Sequence, residues 1–142
     1  MAESWLEALA REDFCYLTTI GRRTGRPHTV EMWFAPQGEA IYLLSGSRHG
    51  SDWVRNLRRE PAVQVRIGRE ASQTYRGEAR VVDEAAEGAL DAVARRLLAT
   101  KYQRWRPGQP LSEWALTALP VEIQLQRATP SVVSSTSPTK TT

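Results

Sequence analysis

The sequence predicts a mainly β protein, with an antiparallel sheet closing into a small barrel and helices packed outside it. Two observations carry this. Short runs of aromatic and β-branched residues are separated by glycine- and proline-rich turns, one of them a hairpin signal. The elements then fall in the order helix, three strands, helix, two strands, long helix, strand.

Residues 3–13 read as a short helix, because Trp5, Leu6 and Leu9 recur at helical spacing. Phe14 to Ile20 reads as a strand. Gly21-Arg-Arg-Thr-Gly-Arg-Pro27 is a turn. His28 to Phe34 alternates, with Val30, Met32 and Phe34 on one face and Thr29, Glu31 and Trp33 on the other. Pro36-Gln37-Gly38 closes a hairpin, and Glu39 to Ser45 returns as a strand. Gly46 to Ser51 is a polar loop, and Ser51 or Asp52 is placed to cap the next helix. That helix sets Trp53 and Leu57 on one face, and Pro61 ends it. Ala62 to Ile67 and Ser72 to Val82 are further strands, with Gly68 breaking the first. Asp83 is read as the N-cap of a long helix to about Trp105, whose apolar face runs through Ala86, Leu90, Val93, Ala94, Leu97, Leu98, Tyr102 and Trp105. Arg106-Pro-Gly-Gln-Pro110 stops it, and Ser112 to Leu116 allows one helical turn. Leu119 to Leu125 is the last strand. One domain is expected over residues 1–127. Residues 128–142, rich in Ser, Thr and Pro, are expected to be a disordered tail.

With 41% apolar residues the chain can bury a core, and it has no apolar run long enough to cross a membrane. The N-terminus has no basic stretch before an apolar one and does not read as a secretory signal. Cys15 is the only cysteine, so no internal disulfide forms; a buried thiol and a cytoplasmic location are expected. No metal site is expected, because neither histidine, His28 or His49, sits in a ligand motif. No Gly-x-Ser-x-Gly elbow, Walker loop or Rossmann fingerprint appears.

What remains is an anion site. Between Gly21 and Arg69 nine arginines face four carboxylates. Arg22, Arg23 and Arg26 sit in the tight glycine turn, where backbone N–H groups and guanidinium forks can converge on one phosphate. Ser45, Ser47, Arg48 and Ser51 form a second donor-rich loop before a helix. A solvated arginine face is the plainer alternative for either loop alone. Glu31, a carboxylate in mid-strand, points either to solvent or to an arginine.

Together, Thr18-Thr-Ile-Gly-Arg-Arg-Thr-Gly-Arg-Pro27, Glu31-Met-Trp-Phe34, Leu43-Leu-Ser45 and Trp53-Val-Arg-Asn-Leu57 before Pro61 resemble the deazaflavin-dependent nitroreductase family. These are flavin/deazaflavin oxidoreductases with the FMN-binding-like split β-barrel of pyridoxamine-phosphate oxidases, an antiparallel Greek-key barrel. The similarity runs from Tyr16 to Gly68 and, more weakly, to Leu125. It implies an enzyme that binds reduced coenzyme F420, with FMN as the alternative, and passes a hydride to a nitro, quinone or enone substrate. It implies that Arg22 and Arg23 lie near the cofactor's phosphate and polyglutamate tail, with His28 where the family often has arginine. Glu31, Met32 and Trp33 match the strand lining the deazaflavin ring. Ser45, Ser47 and Arg48, on the second donor-rich loop, join the cofactor set. Trp53 and Asn56 match the helix beside the cofactor. Ser45 and Tyr102 are the catalytic candidates, placed to hydrogen-bond the developing anion. Trp33, Tyr102 and Trp105 form the substrate set, Trp33 and Trp105 standing in for tyrosines. Glu31 replaces a usual proline, and the Gly46–Asp52 loop is shorter than in nitroreductases. A homodimer with small-molecule substrates is expected. A second reading is a non-catalytic cofactor carrier or nucleic-acid binder. A nucleic-acid groove needs a continuous basic stripe, which Glu31, Asp52 and Glu60 interrupt, so nucleic acid is not an expected partner.

Overall fold

The computed structural model describes residues 6, 9–70 and 73–126. The strands are β1 (Cys15–Ile20), β2 (Pro27–Met32), β3 (Ala35–Gln37), β4 (Ala40–Ser45), β5 (Ala62–Ile67), β6 (Tyr75–Val81) and β7 (Leu119–Gln126). The α-helices are α1 (Asp52–Arg59), α2 (Gly88–Gln103) and α3 (Glu113–Thr117). All the strands belong to one sheet, ordered β2-β1-β5-β6-β7-β4-β3, and every ladder in it is antiparallel.

One step of the chain explains why this sheet is rolled. β2 and β3 lie at opposite ends of the sheet, yet only Trp33 and Phe34 separate them in sequence. Three Cα–Cα steps reach about 11 Å at most. Seven strands laid flat would spread over about 29 Å. The sheet therefore curls until its ends meet. β2 and β3 do not pair with each other, so the barrel keeps an open seam between them.

The alternation seen in the sequence sorts residues across the wall of this barrel. Register sets Cys15 opposite Met32 and Ile67, and Leu17 opposite Val30 and Val65. These inward layers meet Ile41, Leu43, Val121 and Ile123, and Val54 and Leu57 of α1 pack into the same core. Burying such a side chain stabilises by roughly 1.5–3 kcal/mol. A smaller cluster lies outside the wall, where Ala94 and Leu98 of α2 cover Ala35, Ala40, Tyr42 and Leu44. β4 is therefore buried on both faces, which is why its sequence is almost continuously apolar.

The seam is pinned by the last turn of α2. Phe34 is fully buried, and its N–H donates to Tyr102 Oη at 3.0 Å. Its carbonyl accepts from Lys101 Nζ at 2.9 Å and lies 2.9 Å from the Tyr102 hydroxyl. The same two side chains reach the residues just before β1: Lys101 donates to Glu12 O at 2.7 Å and Tyr102 to Asp13 O at 2.8 Å. The backbone groups left over at the crossing are satisfied by side chains in place of a neighbouring strand.

Several boundaries differ from those read in the sequence. The run His28–Phe34 is not one strand, because β2 ends at Met32 and the chain crosses the barrel mouth at Trp33–Phe34. Pro36 and Gln37 belong to β3, and the hairpin turns at Gly38–Glu39 with Gly38 at φ +64°. Asp83 caps a separate turn, its carboxylate accepting from the N–H groups of Ala85 and Ala86; α2 starts five residues later, leaving Ala86 exposed and off its apolar face. α2 stops at Gln103 because Arg104 adopts a left-handed conformation, so Trp105 lies beyond it. Ser51 holds the N-cap position of α1 without a side-chain cap bond. Of residues 3–13, Leu6 is buried and 9–11 form a tight turn, Leu9 N–H bonding Leu6 O; Trp5 lies outside the described residues, as do Ser72 and the expected tail from Ala128.

Candidate cofactor and substrate site

The turn joining β1 to β2 is closed by its own backbone. Gly21 N–H donates to Arg26 O at 2.7 Å, and Gly25 N–H to Gly21 O at 2.8 Å. The His28 ring folds back onto this turn, so close that a Cβ on Gly21 would stand 2.8 Å from Nε2. Glycine is needed there for space. Beside the turn a cavity of about 400 Å³ opens, walled by the turn, the start of β2 and the first turns of α1.

Asn56 organises this cavity. It is 4% exposed, and both ends of its amide are used. Its nitrogen donates to Thr19 Oγ1 at 3.1 Å. Its oxygen accepts from Arg22 twice, from the backbone N–H at 3.1 Å and from Nη1 at 2.9 Å. Asn56 thereby ties β1, the turn and α1 together and aims the Arg22 guanidinium. The other end of that guanidinium, Nη2, meets Asp52 at 3.2 Å.

Of the residues singled out in the sequence, Arg22, Arg23, His28, Trp53 and Asn56 line this one cavity. Thr19, Thr29 and Asp52 line it too and were not singled out as site residues. Register could have found Thr19 and Thr29, which flank the same stretch of β1 and β2: Thr19 pairs with His28, and Thr18 with Thr29. Glu31 and Met32 do not line it. Met32 packs on the barrel core. Glu31 stands on the outer face, where it accepts from the Tyr16 hydroxyl at 2.8 Å and meets Arg69 at 3.7 Å. Its charge is thus matched away from the cavity.

Trp33 sits at the seam and remains 37% exposed. It stacks on the Tyr102 ring with centroids 4.3 Å apart and planes 3° apart, and meets Trp114 edge-on at 5.5 Å. Trp33, Leu44, Gln103 and Trp114 border a second, more open cavity of about 420 Å³. Trp114 carried no signal in the sequence beyond a place in a possible helical turn. Tyr102 lies behind Trp33, and its hydroxyl is engaged with Phe34 and Asp13. Burial pushes that phenol above its ordinary pKa. Trp105 is directed elsewhere: its indole N–H donates to Gln109 O at 2.8 Å, closing the loop after α2.

The second donor-rich loop folds on itself. Ser45 Oγ donates to Arg48 O at 2.9 Å and lies 2.7 Å from Ser51 Oγ, which stitches the loop shut just before α1. The Arg48 side chain donates to Thr117 O at the end of α3. Ser47 is exposed, and its carbonyl accepts from Gly50 N–H at 2.8 Å. Ser45, Ser47 and Arg48 therefore shape the loop and do not line either cavity. Cys15 is buried, and burial pushes its thiol up to about 12, which leaves it inert.

Solved structures of differently named proteins share this arrangement of elements. An F420 reductase is 20% identical, with a TM-score of 0.57 and coverage of 89% of this chain and 97% of that one. A candidate pyridoxamine 5′-phosphate oxidase from Listeria innocua is 21% identical, with a TM-score of 0.57 over 86% of this chain and 90% of its own. A haem storage protein of Vibrio cholerae is 19% identical, with a TM-score of 0.62 over 87% of this chain and 88% of its own. They establish the fold as the pyridoxamine-phosphate-oxidase-like split barrel that the sequence resemblance implied. The sequence model of the F420H2-dependent quinone reductases matches residues 5–112, spanning both cavities except Trp114, and the chain belongs to that family of F420-dependent oxidoreductases.

Proposed function

We propose that the cofactor lies along β2, with its anionic end at the Gly21–Pro27 turn and its ring near Trp33, and that quinone, nitro and enone acceptors approach from the Trp114 side. The observation that carries this is the pairing of a basic cavity at one end of β2 with an exposed indole at the other. From Val30, on the first cavity, to Trp33, on the second, is three residues, or about 10 Å of extended chain, a length suited to an elongated ligand. Among the described residues β2 is also an edge strand, so its outer row of backbone groups has no strand partner there and can meet ring polar atoms.

The donor set fits an anionic deazaflavin. Arg22 and Arg23 present guanidinium groups to the first cavity and His28 adds a ring nitrogen. Reduced F420 supplies a hydride, which with one solvent proton takes a quinone to its hydroquinone. The chain's part is to bind, orient and exclude water. Ser45 and Tyr102 do this indirectly. Ser45 fixes the loop ahead of α1, and Tyr102 fixes the plane of Trp33, since the hydroxyl of each is engaged within the fold.

Fluorescence titration with F420, and with FMN in parallel, tests the reading. Replacing both Arg22 and Arg23 by alanine should weaken F420 binding by about 2–4 kcal/mol if both contact phosphate. Unchanged affinity removes the turn from the site. Turnover of a quinone, a nitroaromatic and an enone by wild type and Trp33→Ala then ranks the acceptors.

A further inference from the structure

The first cavity contains a carboxylate, Asp52, and it sits on the arginine best placed to meet an anion. Asp52 Oδ1 accepts from Arg22 Nη2 at 3.2 Å, with Asp52 84% exposed and Arg22 21% exposed. The other contacts of Arg22 are of a different kind. Its Nη1 and its backbone N–H both go to the buried oxygen of Asn56. One side of the guanidinium is thus anchored to the barrel, and the other is paired with an exposed acid at the mouth of the cavity. Among the described residues Arg23, on the same cavity, has no ion pair.

We propose that Asp52 is a resident counter-ion of the cofactor site: it holds the Arg22 fork in its binding orientation when no ligand is present, and the cofactor's anionic group takes its place on Nη2. The inference rests on the reading that the cofactor's anion binds at the β1–β2 turn. An exposed ion pair is weak, so exchanging one anion for another at Nη2 is easy. The exchange also sets a selectivity. A singly charged ligand gains little by replacing a carboxylate that is already there. A ligand with several negative charges can take Nη2 and Arg23 together, and it outcompetes Asp52. Asp52 further keeps cofactor affinity below what the arginines alone would give, which favours release.

A simpler role for Asp52 is that of a first-turn acid on α1, favourable to the helix dipole and indifferent to ligand. The two roles separate in F420 fluorescence titrations of wild type, Asp52→Asn, Asp52→Ser and Arg22→Ala. Thermal unfolding of each variant confirms that the protein titrated is folded. The counter-ion role requires Asp52→Asn and Asp52→Ser to bind F420 about fivefold more tightly at low salt, the scale of an exposed charge pair. The gain should shrink toward nothing at about 0.5 M salt, where exposed charges are screened. It should fall below about twofold when Arg22 is already alanine, since the two residues then no longer couple. If both Asp52 variants bind equally or more weakly while Arg22→Ala binds more weakly, Asp52 is a helix-terminal acid only and the proposal is overturned. If Arg22→Ala binds F420 as wild type does, the cofactor's anion is not at this turn, and the underlying reading fails first.

Discussion

Replacing Tyr102 by phenylalanine isolates what its hydroxyl contributes. The ring stays, so the stack on Trp33 at 4.3 Å is kept. What disappears is the acceptor for Phe34 N–H and the donor to Asp13 O. The Phe34 carbonyl retains Lys101 at 2.9 Å, but the N–H of a fully buried residue at an unpaired seam is orphaned. Leaving a buried donor unsatisfied costs about 1–3 kcal/mol. For a domain of this size that corresponds to a Tm lower by about 3–4 °C per kcal/mol. Urea denaturation gives the loss directly, with an unchanged slope expected because the fold is unchanged. Activity provides the second readout. If the hydroxyl belongs to the seam, kcat/KM with a quinone should fall less than tenfold while stability drops. A loss of stability under about 0.5 kcal/mol, within the range of ordinary surface changes, refutes the seam argument. A large fall in kcat with stability intact would return Tyr102 to a direct catalytic role.

Two further outcomes follow from other parts of the structure. Gly21→Ala places a Cβ 2.8–2.9 Å from the His28 ring and Thr24 Oγ1, so it should cost about 1–2 kcal/mol and weaken F420 binding by displacing His28; wild-type stability and affinity together would count against the close approach. Burial pulls the Lys101 ammonium from its usual 10.5 down to about 8. Between those values the unfolded chain binds the proton and the folded one has released it, so this group's contribution to stability rises with pH from about 8 to 10.5. Urea midpoints of wild type measured against Lys101→Met across that window should climb, and a flat or falling difference would contradict the burial of the amine.

The sequence disclosed the first cavity better than the second, for a physical reason. Arg22 and Arg23 lie in one turn with His28 just after it on β2, and Trp53 and Asn56 in one short helix, so two local segments contain most of the residues that line that cavity. Their chemistry alone indicated only an anion; the deazaflavin came from the resemblance. The seam was invisible because Val30, Met32 and Phe34 keep a period of two straight through the crossing, and periodicity reports which face a residue occupies without reporting which strand it pairs with. Trp114 was missed because its partner Trp33 is distant in sequence and no local pattern links them. Asp83 misled because an Asp that caps an isolated turn has the same signature as one that starts a helix.

The unpaired seam also gives the protein a soft coordinate. β2 and β3 are held at their junction by two side chains from α2 rather than by a ladder, so local opening there should need less free energy than opening of the β4–β7 centre. A ligand lying along β2 would bind only the closed form, and its binding free energy would then add to the cost of opening. Amide hydrogen exchange in β2 would therefore report occupancy of the site, with slow exchange in the loaded protein and faster exchange when the groove is free.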